Sequence, residues 1–319
     1  MGKITEPKRV LITGGFGYLG GRLTQYLTEY GYKVIIGTRK NHNNLEWPRS
    51  TEVVQLYWDD EEALVNACKG INVIIHTAGM NAKDCESDPV AALAFNGLAT
   101  ARLVCASKKA GVTKFIYTST AHVYCSPLVG KITDRSCPSN HHPYATSHLA
   151  GENAVLFGSK NQSNFTGVVL RLSNVVGVPA SDNANCWMLF VNDICREASK
   201  SNSITIRNNP EELRDFVSMA TVCEVCHCLI SDEDSNLTYT YNIGSGESLS
   251  LLQIANMVKA QYKNLHNISL NLILPKINEK LKTNFKYIPS KLPFEIGNEV
   301  DVSLSSEIDK LIKYCDLKI

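Results

Sequence analysis

Tyr144 and His148 stand four residues apart in Tyr144-Ala145-Thr146-Ser147-His148, so a helix beginning at Pro143 brings a phenol and an imidazole onto one face. A second group of proton-moving side chains closes a predicted strand, where Lys114-Phe115-Ile116-Tyr117-Thr118 runs into Ser119-Thr120-Ala121-His122. A phenol with an imidazole beneath it, facing the Thr120 hydroxyl, can pass a proton to or from a carbonyl or an alcohol. His122 is either a further acid or base, or a ring that only shapes the pocket.

Such chemistry needs a scaffold that sets a strand end beside a helix face. The run Arg9-Val10-Leu11-Ile12-Thr13 breaks into glycines at 14, 17 and 20 and enters Arg22-Leu23-Thr24, which reads as buried strand, tight turn and helix start. Glycine allows positive φ and close approach of a pyrophosphate, and the first helical turn favours an anion. Glycines also close ordinary strand-to-helix turns. Here a second apolar run, Tyr32-Lys33-Val34-Ile35-Ile36, follows at the distance a dinucleotide-binding β-α-β unit requires. After it, Gly37-Thr38-Arg39-Lys40 offers no carboxylate to an adenosine ribose and presents two cations, which favours NADP(H) over NAD(H); the alternative is a solvated basic turn.

Residues 41–50 read as a polar loop and Val53-Val54-Gln55-Leu56 as a third strand, after which Asp59 or Asp60 either reaches the adenine or caps the next helix. A fourth strand ends in Thr77-Ala78-Gly79, small enough for backbone to pass close to the cofactor, with His76 as a satisfied interior histidine. Apolar positions recur with helical spacing from Pro89 to Ala110, and Asn96 lies within that helix. The expected cofactor contacts are Gly14, Phe16, Gly17, Tyr18, Leu19, Gly20, Thr38, Arg39, Asp59, Thr77, Ala78, Gly79 and Asn96, with Tyr144 and His148.

Across 319 residues, 32 basic and 31 acidic side chains give a net charge of +1, which points to neither nucleic acid nor an anionic membrane surface as partner. No apolar run approaches the roughly 20 residues of a membrane span, and the first residues show no signal-peptide core, so a cytoplasmic protein is expected. Eleven scattered cysteines, an odd number, predict reduced thiols. Cys223, Cys226 and Cys228 with His227 fall in a helical pattern that puts Cys223 and Cys226 on an apolar face without a second ligand pair, so no metal is expected.

On these motifs the chain resembles the extended short-chain dehydrogenase/reductase family, in its NAD(P)-dependent epimerase/dehydratase group, over nearly its whole length. The resemblance rests on Gly14, Gly17 and Gly20, on His76 to Gly79, on Asn96, on Thr120 and Tyr144, and on the segments Arg171–Gly177, Arg214–Val217 and Tyr241–Glu247. It implies an α/β fold: a Rossmann domain with a doubly wound parallel sheet over residues 1–175, and an interleaved, smaller mixed lobe over 176–319 that clamps a nucleotide-diphosphate sugar. It further implies catalytic Thr120 and Tyr144, Arg214 near the substrate's phosphates, Asn174 near its sugar or phosphates, and a homodimer through the helices beginning near Pro89 and Pro143. Read without it, Arg214 would pair with Asp215, and Asn174 would cap a turn.

Two departures shape the expected reaction. The family's Tyr-x-x-x-Lys is Tyr144-x-x-x-His148, in register with the surrounding Ser147, Leu149, Gly151 and Glu152. In the family the lysine holds the nicotinamide ribose, and its charge stabilises the tyrosinate. A lysine near 10.4 is charged at pH 7, whereas a histidine near 6.5 is mostly neutral. A unit charge at about 4 Å is worth roughly 4 kcal/mol at an effective dielectric of 20, so its loss raises the phenol by up to about three units. That hinders oxidation, which needs tyrosinate, more than reduction, which needs the phenol. Where water-eliminating members carry Asp-Glu after the threonine, this chain has Ala121-His122, which argues against a 4,6-dehydratase. The expected function is therefore NADPH-dependent reduction of a keto group on a nucleotide-diphosphate sugar. The alternatives are an epimerase with tightly held NAD(P) and a non-catalytic NAD(P)-binding regulator.

Overall fold

The computed structural model describes residues 6–39, 51–160, 164–232, 239–276, 284–296 and 302–318; Lys40 and the predicted loop at 41–50 lie outside them. Strand β1 (Arg9–Thr13) is buried on both sides, because Val10 and Ile12 enter the core on one face and Leu11 the core on the other. With it lie β2 (Lys33–Thr38), β3 (Glu52–Gln55), β4 (Val73–His76) and β5 (Lys114–Thr120). Beyond the short β6 (Gly130–Ile132), the chain adds β7 (Thr166–Leu172) to the same sheet. Strand β5 continues through Ser119 and Thr120, two residues further than its apolar run, because both pair with Arg171 and Leu172 of β7.

Helices cover both faces. On one face, α1 (Tyr18–Glu29) contributes Leu23 and Leu27 to the core. The other is closed by α2 (Glu61–Cys68), α4 (Pro89–Lys109) and α5 (Pro143–Ser159), with the short α3 (Ala82–Ser87) leading into α4. Helix α4 departs from the expected regular period: Leu93–Ala99 is a π turn between two α-helical stretches. Its 21 residues are also apolar enough to cross a bilayer by length and composition, which corrects the expectation that no segment is; half of its apolar stretch is buried inside the fold.

Past residue 176 the chain serves both lobes. After β8 (Asn174–Val176), α6 (Phe190–Ser201), β9 (Ser203–Thr205) and β10 (Leu213–Ser218), helix α7 (Met219–Ser231) packs beside α1 on the first face. Cys223 and Cys226 are buried in α7, and burial pushes the Cys223 thiol up to about 12. Strand β11 (Tyr239–Ile243) then pairs with β7, so the main sheet has seven parallel strands in the order β11-β7-β5-β4-β1-β2-β3. The second lobe holds β12 (Ser248–Ser250), α8 (Leu251–His266), β13 (Asn271–Ile273), β14 (Phe285–Tyr287) and α9 (Leu304–Asp316). Its three-stranded sheet β12-β10-β8 is mixed, and α6, α8 and α9 share a core through Ile194, Ile254 and Ile308. The strand order reverses between β1 and β4, which opens a crevice beyond their carboxyl ends.

Candidate active site

A cleft of about 220 Å³ occupies that crevice. Its floor is the glycine turn: Gly14 has φ +69°, and a Cβ there would come within 3.0 Å of the Ala78 backbone. Gly17 caps α1 and donates to the Gly14 carbonyl at 2.8 Å. Gly20 serves packing, since a Cβ would drive into the Gly14 carbonyl and come within 2.7 Å of Thr77 Oγ1. We expect Gly20→Ala to destabilise the fold by about 1–3 kcal/mol through overpacking. Urea unfolding checks this, and a variant as stable as the parent would show that the turn gives way without cost.

At the end of the cleft where β5 meets α5, Tyr144 and His148 meet edge to face with ring centroids 4.6 Å apart, and the Thr120 side chain acts on the Tyr144 phenol. Burial raises the Tyr144 phenol above its ordinary value, and Thr120 opposes that only in part. His148 is buried, and desolvation lowers it to about 4, so it is neutral at pH 7. Its Nδ1 lies 2.9 Å from the Tyr117 hydroxyl. His142 caps α5 by accepting from the Tyr144 N–H at 3.1 Å, which fixes where the helix begins.

The π turn of α4 carries Asn96 into the space between β4 and α5. Its Oδ1 accepts from the Met80 N–H at 2.8 Å, and its Nδ2 donates to Ser147 Oγ at 3.0 Å. The amide thus ties the loop after β4 to α5. His76 is satisfied inside the sheet by Thr13 at 2.6 Å and Thr100 at 2.9 Å, and burial holds it at about 3.

A family model described as the NAD dependent epimerase/dehydratase family matches residues 10–244, from β1 through the glycine turn and α5 to just past β11. The chain belongs to that family. It is 27% identical over 290 residues to a UDP-glucose 4-epimerase of Haemophilus influenzae, covering 82% of this chain and 83% of the relative. A UDP-glucuronic acid decarboxylase of Danio rerio is 23% identical over 97% of this chain and 73% of its own length. In fold it is similar to a UDP-glucose 4-epimerase of Thermus thermophilus solved with NAD, with a TM-score of 0.76 at 20% identity over 98% of this chain and 100% of that one.

In this epimerase/dehydratase-family chain, eight of the expected cofactor contacts, Gly14, Phe16, Gly17, Thr38, Arg39, Thr77, Ala78 and Gly79, line the cleft. The other expected contacts stand back from it. The Tyr18 hydroxyl donates to the Gly177 carbonyl at 2.9 Å, Leu19 packs on the core, and Gly20 and Asn96 hold neighbouring backbone. Asp60 caps α2, accepting from the Ala63 N–H at 2.9 Å, while Asp59 is exposed and pairs with Arg102.

Three lining residues escaped the sequence reading: Gly37, Trp58 and Phe95. The two aromatic rings lie 5.4 Å apart, edge to face, and the Arg39 guanidinium stacks 4.5 Å above Phe95. The sequence signal for Trp58 is its place directly before Asp59 and Asp60, just past the end of a strand that faces the crevice.

Beyond the end of β5, His122 stands two residues after Thr120 and donates its backbone N–H to Thr120 Oγ1 at 3.1 Å. Burial, then the nearby Arg214 guanidinium and His142, hold the His122 imidazole below its usual value. Arg214 pairs with Glu212 at 2.8 Å and not with Asp215. The buried Asp215 carboxylate instead accepts from the N–H groups of Ser245 and Gly246 at 2.9 and 2.8 Å. Asn174 caps no turn: its Nδ2 donates to the Asp215 carbonyl at 2.8 Å and ties β8 to β10.

Proposed function

We propose that the chain reduces a keto group on a nucleotide-diphosphate sugar, drawing on NADPH. The observation that carries this reading is the buried Tyr144 phenol, edge-on to a neutral His148 that brings no charge to draw off its proton. The cleft suits a dinucleotide on its own terms: the Gly14 turn leaves backbone room that a Cβ would fill, and Trp58 and Phe95 offer apolar walls to a base. No carboxylate is among the described lining residues, and Arg39 stands there to meet a 2′-phosphate.

Bound NADPH supplies the hydride. Thr120 orients the substrate oxygen, and Tyr144 gives its proton to that oxygen as negative charge develops, regaining one from solvent. His148 holds the ribose. Arg214, beside His122, neutralises phosphate charge, with Asn174 on the neighbouring strand β8. Val90 on α4 and Phe157 on α5, each 78% exposed, suit burial against a second copy and support a homodimer through those helices.

The epimerase reading draws support from the relatives named UDP-glucose 4-epimerase. It requires Tyr144 to act as a base in its oxidative half, which a raised phenol opposes. Titration with NADPH and NADH, followed by nicotinamide fluorescence, separates the readings. We expect a preference for NADPH of about 10-fold or more, lost in Arg39→Ala, since hydrogen bonds to charged groups are worth about 1.5–3 kcal/mol. Equal affinities, or NAD that stays bound through purification, would turn the assignment to the epimerase.

A further inference from the structure

Tyr117 sits in the middle of β5, 1% exposed, and puts a hydroxyl where a central strand ordinarily has only hydrocarbon. The space for it is built: a Cβ on Gly151 of α5 would come within 2.7 Å of that oxygen. Proton counting next door narrows its role. Thr100 spends its one hydroxyl proton on the Asn96 carbonyl at 2.7 Å, so His76 must donate to it from Nε2. His76 is neutral, so its Nδ1 accepts from Thr13, and Thr100 has no proton left for Tyr117. The Tyr117 phenol, far from ionising in its buried place, keeps its own proton. The His148 Nδ1 lone pair, 2.9 Å away, is a better acceptor than a neutral hydroxyl. The opposite edge of the imidazole faces the cleft wall, since a Cβ on Gly79 would stand 3.7 Å from His148 Cε1 and 3.8 Å from Nε2. Nε2 has no hydrogen-bond partner among the described residues.

We propose that Tyr117 is a positioning residue: its hydroxyl donates to His148 Nδ1, fixes the ring as the Nε2–H tautomer, and turns a neutral N–H donor towards Gly79 to hold a ribose hydroxyl of the dinucleotide. The ribose contact rests on the cofactor reading above; the tautomer does not. In place of a flexible cation, the site then uses an uncharged donor aimed from behind by the sheet.

The test is an imidazole ¹⁵N–¹H correlation spectrum of the histidine-labelled full chain without nucleotide, with His148 assigned by the signals lost in His148→Ala. The expected result is a proton on Nε2 alone, and a mixture of tautomers in Tyr117→Phe. NADPH should bind about 3- to 10-fold more weakly to Tyr117→Phe, from the usual worth of one hydrogen bond. In a His148→Ala background the same change should alter binding by less than about 2-fold, because residues acting through one another are not additive. A wild-type proton on Nδ1 overturns the proposal, and so does an equal loss in both backgrounds, which would make Tyr117 merely structural. If Tyr117→Phe folds poorly, the wild-type spectrum still decides the tautomer. A wild type that shows Nε2–H and binds neither NADPH nor NADH would overturn the cofactor reading and the ribose contact, while the tautomer stands.

Discussion

Tyr144→Phe is expected to slow keto reduction by about 10²- to 10⁴-fold, the usual worth of a positioned general acid, while NADPH affinity changes by less than about 2-fold. The variant keeps the ring that packs edge-on against His148 and removes only the hydroxyl that meets Thr120. Single-turnover oxidation of bound NADPH by a keto-sugar nucleotide measures it. The two groups also set what the pH profile lacks. With the phenol raised and His148 at about 4, neither changes protonation between pH 5 and 9, so the pair adds no step to the reductive rate in that window. A phenylalanine variant retaining a tenth or more of the parent rate would remove Tyr144 from the acid's role.

Glu152→Ala should cost about 3–5 kcal/mol of stability, the effect of leaving one member of a buried ion pair alone. Glu152 is fully buried on α5 and takes two hydrogen bonds from Arg171 Nε, at 3.0 and 3.2 Å, and one from Nη2 at 2.6 Å. Ser119 donates to the same carboxylate at 2.5 Å, and the Arg171 guanidinium also lies 4.7 Å over the Tyr124 ring. Without the carboxylate, the guanidinium is left between β7 and α5 with no other ion-pair partner among the described residues. Urea unfolding followed by tryptophan fluorescence reads the loss. A change below about 1 kcal/mol would mean that water enters and solvates Arg171.

The sequence carries the parts of the site that depend on local pattern. Gly14, Gly17 and Gly20 announce the turn because each answers a need written into three-residue spacing: positive φ, a helix start and close packing on Thr77. Tyr144 and His148 announce themselves through the four-residue repeat of a helix. The partner of Arg214 also follows a local rule, and that rule selects Glu212 over Asp215. In an extended strand, neighbours point to opposite faces, so Asp215 turns inward to Ser245 and Gly246 while Glu212, two residues back, shares the arginine's side. Other features have no local signature. The π turn at Asn96 looks like any apolar helix until the amide's partners, Met80 and Ser147, are known to be near. Tyr117 hides in an apolar run because what its hydroxyl meets lies 31 residues further along.

The late arrival of β11 bears on how the chain is made. Strand β7 is buried along its whole length, and one of its edges is completed only by Tyr239–Ile243, roughly 70 residues after β7 leaves the ribosome. At about 5–20 residues per second, that edge and its apolar face wait several seconds for their neighbour. An open, apolar edge is a template for pairing with other nascent chains. The newborn polypeptide therefore passes through a sticky interval that ends when its own distal segment closes the sheet, and a ribosome stalled between residues 172 and 239 would leave a six-stranded intermediate as a client for chaperones.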